Sequence, residues 1–352
     1  MPVIAIKNSM GFCLAEDVYT SLGGLLFHKG TLVKERELEI LEAFKISEVT
    51  VEELASQKQE EVRKDEVESL KPVDLEFIRS YKEAVQLFKK LMIHVMGGQT
   101  IPVMDVRKIL TPLLPIVQNH PNLLMQLPQV SNEEEYVCEH SVAVGLLSFM
   151  IAKWMKLPQN EWVQISLAGI LHDIGKTKID PKVLWKSTQL TASEYEEMKK
   201  HTVYGYQLTK GVSGLSEGVA LAALQHHERE NGSGYPLGLV GNKLHIYSKI
   251  VAVAEVYHGM CSDHLYKKGV SPYQAVEQLL KDSYGKLDPA VVHTFVNGLT
   301  QFSVGATVEL TDGSIGKIIF ADRNNPTRPM VESNGRVINL AEVRQLYIKR
   351  IV

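Results

Sequence analysis

Histidines and carboxylates crowd the middle of this chain. Of its twelve histidines, eight fall between His140 and His264, among them the adjacent pairs His172-Asp173 and His226-His227, with His140, His201 and Glu255 at separate positions. Imidazole and carboxylate side by side are the mixed ligation that first-row divalent ions take. In an adjacent His-Asp pair the histidine takes one ion while the aspartate spans two. Two ions so held lower the pKa of a bridging water and clamp the oxygens of an in-line phosphoryl displacement. Any one of these histidines alone is more often a hydrogen-bonded core or surface group. Together they read as a metal centre.

Separate helices must carry these groups inward. His140 continues the apolar stripe Val144, Leu147, Ile151 and Trp154, and His201 shares a face with Met198 and Leu208. His172-Asp173 ends the apolar run Ile165 to Ile174, His226-His227 ends Val219 to Leu224, and Glu255 lies in Ile250 to Val256 at helical spacing from Val251. Burying so many ionisable groups without partners costs several kcal/mol apiece, so they must share protons or share metal. Lys176, three residues after Asp173, falls on the same face of a continuing turn.

The chain around this centre divides into modules. Its 352 residues suggest two or three compact units. Residues 1–53 alternate around turn glycines, with a helical stretch from Glu35 to Phe44 and a strand at Val49 to Val51, which reads as a small α+β module. Residues 54–72 are charge-rich and read as a linker. Helical periodicity then runs over 73–302, broken at Pro121, Pro158, Pro181 and Pro236. After Phe302 the period switches to two, with turns at Thr311-Asp312-Gly313 and Asn334-Gly335, so 303–352 reads as a small β-rich module. The expected fold class is mainly α: an all-helical core flanked by these two modules.

With 38 Lys+Arg against 41 Asp+Glu, the net charge of −3 gives no footprint for duplex nucleic acid or an anionic membrane. No stretch reads as a membrane span, and the start lacks the charged region of a signal peptide. Three widely spaced cysteines, Cys13, Cys138 and Cys261, suit free thiols in a reducing compartment. The chain is expected to be cytoplasmic.

The ordered series His172-Asp173-Ile174-Gly175-Lys176, then His201, then His226-His227-Glu228 and Gly232-Ser233-Gly234-Tyr235-Pro236 resembles the HD-GYP family of the HD phosphohydrolase superfamily. The likeness covers about residues 130–300. It implies an all-helical, metal-dependent phosphodiesterase that hydrolyses cyclic di-GMP to linear pGpG and/or GMP by a metal-bridging hydroxide. The ligands it implies are His140, His172, Asp173, His201, His226, His227 and Glu255, with catalytic roles for Asp173 and Lys176. Substrate contacts fall to Lys176, Gly234, Tyr235, Pro236, His264 and Lys267. Iron or manganese is the implied metal, although the ligand chemistry admits zinc, nickel or cobalt equally.

Four positions depart from the family pattern: Glu255 stands for the usual Asp, His258 for a second Asp, as an extra ligand or only a hydrogen-bonding neighbour of one, His264 for an Arg, and Tyr136 for the Glu of trinuclear members. Two ions, not three, are therefore expected. A module that binds a nucleotide or partner protein without turnover, or a hydrolase of another phosphate ester, stays open as an alternative. The family's habits leave room for a homodimer and for a signalling partner protein.

Overall fold

The structure is a computed structural model. It describes all residues except 1–2, 7–8, 11, 21–23, 53–71, 126, 128–132, 187, 263–268, 302–303 and 323–324, and at Val3, Glu35, Glu52, Pro72, Glu133 and Glu134 the backbone alone. The expected linker therefore lies outside the described residues apart from Pro72, as do His264 and Lys267. The chain separates into two compact units, Met1–Pro72 and Val73–Val352.

In the first unit, β1 (Val3–Ala5), β2 (Cys13–Leu14) and β5 (Glu48–Glu52) form an antiparallel sheet of order β1-β5-β2, and β3 (Val18–Tyr19) pairs with β4 (Leu25–Phe27). The helix α1 (Glu35–Ala43) contributes Leu41 to a core with Ile6, Leu14, Val33, Val49 and Val51.

The second unit is built on helices: α2 (Pro72–Met96), α3 (Val103–Leu110), α4 (Leu113–Asn119), α5 (Glu133–Trp154), α6 (Gln159–Leu171), α7 (Pro181–Leu184), α8 (Ala192–Lys199), α9 (His201–Thr209), α10 (Glu217–Gln225), α11 (Ile246–Cys261), α12 (Pro272–Asp282) and α13 (Pro289–Gln301). Contrary to the sequence expectation, α5 contains a stretch, Glu135–Trp154, long and apolar enough to cross a bilayer by length and composition alone. Within that window 83% is buried inside the unit, because the helix is surrounded by others and needs no polar face.

Two backbone approaches set the site. Where α5 crosses α6, a Cβ added at Gly169 would lie 2.6 Å from the Val144 carbonyl and 2.9 Å from Gly145 Cα, so glycine lets the helices touch. After α6 the chain tightens into a 3₁₀ turn, Ile174–Lys178, whose Gly175 abuts the His201 carbonyl and Gly205 of α9 so closely that a Cβ would overlap both.

Strands β6 (Thr307–Leu310), β7 (Ile315–Phe320), β8 (Met330–Ser333), β9 (Arg336–Asn339) and β10 (Ile348–Ile351) form an antiparallel sheet of order β10-β6-β7-β8-β9. Period-two alternation buries Val308, Leu310, Ile318, Val331 and Ile348 in the same apolar cluster as the helices. Ser271 Oγ donates to the Ile348 carbonyl at 3.0 Å, and Arg328 pairs with Glu277 at 2.6 Å, fastening sheet to α12.

Candidate metal centre

His172 and His226 stand at the C-terminal ends of α6 and α10, and His201 opens α9. Each spends its Nδ1 proton on a backbone carbonyl three or four residues earlier: His172 to Gly169 at 2.7 Å, His201 to Met198 at 2.6 Å, and His226 to Ala222 at 3.0 Å. That bond fixes the tautomer and turns the Nε2 lone pair inward, as a metal-binding histidine requires.

The inward nitrogens meet at Asp173. Its Oδ1 lies 3.3 Å from His201 Nε2 and 3.8 Å from His226 Nε2, while Oδ2 lies 3.2 Å from His172 Nε2 and 2.6 Å from Lys176 Nζ. Two three-residue groups could each hold an ion: His140, His172 and Asp173, and His201, His226 and His227. Asp173 reaches from the first group into the second. Asp173 Oδ1 and Glu255 Oε2 are buried without a hydrogen-bond partner. Orphaned acceptors converging from a His/Asp donor set fit first-row divalent cations.

Burial governs the protonation of the centre. It drives His140, His226 and His227 well below the usual imidazole value and His201 to about 4, so these rings are neutral and ready to ligate. Burial also opposes a charge on His172, but the Asp173 carboxylate outweighs it and raises that ring. For Asp173 burial works upward, and the charges of His172 and Lys176 overcome it, holding the carboxyl well below its ordinary range. Glu255 is raised to about 7, because burial, helped by the Asp173 carboxylate, outweighs the pull of His172, Arg229 and Lys176. Its Oε1 sits 3.6 Å from His227 Nδ1.

The centre opens on one side. His227, Glu255 and Lys176 keep 18%, 16% and 23% of their side-chain surface exposed, whereas the side chains of His172, His201 and His226 are sealed. Over this mouth Tyr235 stacks on His227, centroids 4.6 Å apart and planes 27° apart. Gly234 packs against the backbone of His227, Glu228 and Arg229, where an added Cβ would overlap all three. Pro236 follows Tyr235 through a cis peptide bond.

Sequence reasoning assigned no role to Glu228. Its buried carboxylate accepts from Leu237 N at 2.7 Å and Leu239 N at 3.0 Å, tying the loop that carries Tyr235 to the residue after His227. The available signal was its acidic side chain beside the histidine pair. Tyr136, four residues before His140, stacks on that ring at 5.6 Å.

Residues 113–291 match the HD domain family, just over half of the chain, and the chain belongs to that family. The cyclic di-GMP phosphodiesterase PA4108 of Pseudomonas aeruginosa is 33% identical over 222 residues, 63% of this chain and 53% of that protein. The 3'3'-cGAMP-specific phosphodiesterase 1 of Vibrio cholerae is 30% identical over 177 residues, 49% of this chain and 40% of that protein. This chain thus spans about half the length of the curated relatives it matches. The solved structure of Bd1817, an HDG"Y"P protein from Bdellovibrio bacteriovorus, shares the fold with a TM-score of 0.52 at 16% identity, covering 84% of this chain and 97% of that one.

Proposed function

We propose that this chain is a metal-dependent phosphodiesterase that hydrolyses cyclic di-GMP to linear pGpG and/or GMP, using two divalent ions held by His140, His172, Asp173, His201, His226, His227 and Glu255. The observation that carries the reading is Asp173, whose two oxygens face both histidine groups. The named activity of the relatives supports the substrate class. Iron or manganese is our choice of metal; three cysteines in no disulfide, including the buried Cys138, suit a cytoplasmic site.

In the reaction a water oxygen bonds to phosphorus, the phosphorus–ribose oxygen bond breaks, and the departing ribose oxygen takes a proton. Divalent ions at this centre supply Lewis acidity toward the phosphate oxygens and acidify water. The chain's residues do the rest. Lys176 and His172 keep Asp173 ionised inside the protein. Glu255 must give up its proton before it can ligate, so metal uptake releases protons. In this reading Lys176, paired with Asp173 and 23% exposed, meets a phosphate oxygen, and Tyr235, stacked on His227, packs against a nucleobase. Gly234 and Pro236 shape that loop, while substrate contacts at His264 and Lys267 remain part of the proposal.

A second cyclic dinucleotide, 3'3'-cGAMP, is favoured by the relative specific for it. A panel of cyclic di-GMP, 3'3'-cGAMP, bis(p-nitrophenyl) phosphate and GMP, with products separated by chromatography, decides between them. Faster turnover of cyclic di-GMP supports the primary reading, and preference for 3'3'-cGAMP transfers it to the second. Cleavage of the monoester GMP alone overturns both.

A further inference from the structure

His140 is held differently from its neighbours. His172, His201 and His226 are each oriented by a nearby backbone carbonyl, but the described contact of His140 Nδ1 is with another imidazole, His258 Nδ1, at 3.0 Å. This partner comes from a different helix, α11 facing α5, and both residues are buried. Two ring nitrogens at that distance share one proton, so one donates and the other accepts. For His140 to offer Nε2 to an ion its proton must sit on Nδ1 and be donated to His258 Nδ1, which then carries its own proton on Nε2. Ser262 leaves that arrangement intact. Its Oγ, 3.1 Å from His258 Nδ1, donates to the His258 carbonyl at 2.8 Å.

We infer that His258 is a positioning residue. By accepting the Nδ1 proton of His140 it fixes that ring's tautomer and direction, and so sets the affinity of the ion held by His140, His172 and Asp173, without ligating the ion itself. This inference rests on the metal-centre reading above. Because α11 also carries Glu255, one helix contributes a candidate ligand and the acceptor that aims another.

The test is manganese binding to the metal-free full chain, followed by calorimetric titration and by ions counted per chain after desalting. The wild type should take two ions. Loss of the acceptor in His258→Ala should weaken one site by roughly 10–100-fold, the usual effect of removing a ligand's hydrogen-bond partner. The other site should keep its affinity. His258→Gln and His258→Asp, whose side-chain oxygens can accept the same proton, should restore the weakened site to within a few-fold; they also guard against a His258→Ala variant that fails to fold. Two unchanged affinities in a folded His258→Ala overturn this inference alone. Three ions in the wild type falling to two in every His258 variant overturn it too, by making His258 a ligand. A wild type that binds no metal overturns the proposed function and this inference with it.

Discussion

Asp173 carries the widest responsibility of any side chain in the centre, since its oxygens face His172, His201, His226 and Lys176 at once. Asp173→Asn keeps the shape and removes the charge, so it should lose metal without losing the fold, read by ion counting beside circular dichroism. Glu228 acts at one remove. Glu228→Ala leaves two loop amides without their acceptor and should cost about 1–3 kcal/mol of stability in denaturant unfolding, with Glu228→Gln losing less. The candidate metal ligands stood out in the sequence because their residue types are rare in apolar runs, and the family resemblance joined them into one set. The role of Glu228 was not, since its partners are backbone amides nine and eleven residues away. Nor could spacing disclose that His258 meets His140 across 118 positions.

At the scale of elements, glycines that let backbones touch decide whether the ligands converge. Gly175→Ala would drive a Cβ into the His201 carbonyl, so the 3₁₀ turn and α9 must separate. Overpacking of this kind costs about 1–3 kcal/mol, and here it also displaces His201 from Asp173. The expected outcome is a lower melting temperature together with weaker metal binding, whereas a half-buried helical control, Gly259→Ala, meets no described atom within 4 Å at its added Cβ and should lower neither. Helical periodicity made α5, α6, α10 and α11 readable, and alternation did the same for β6 to β8. Sequence left out β10: Ile348–Ile351 pairs with β6 some forty residues earlier, and a single short strand has no signature without its partner. The density of apolar residues in α5 was likewise underread, because burial on every side erases the amphipathic pattern.

Across the whole molecule, the buried imidazoles make stability depend on pH. In the metal-free chain His140, His201, His226 and His227 are all lowered by burial, so near pH 5.5 the unfolded chain binds about four protons that the folded chain refuses. Glu255, raised to about 7, takes up about one proton on folding and opposes this; His172 is protonated in both states there and contributes little. The balance favours the unfolded state on acidification. The melting temperature of the metal-free chain should therefore fall as pH drops from 7 to 5, in thermal scans after chelation. Divalent metal at 100 times its dissociation constant should add about 2.7 kcal/mol per site.

Hydrolysis of a cyclic dinucleotide at a centre organised by Asp173 is open to a single assay. Protein purified without oxygen and reconstituted separately with ferrous iron and with manganese is incubated with cyclic di-GMP, beside Asp173→Ala treated identically. Linear pGpG or GMP from the wild type and none from the variant is the expected result. No product from a wild type carrying two ions per chain, or equal product from both proteins, would contradict the account.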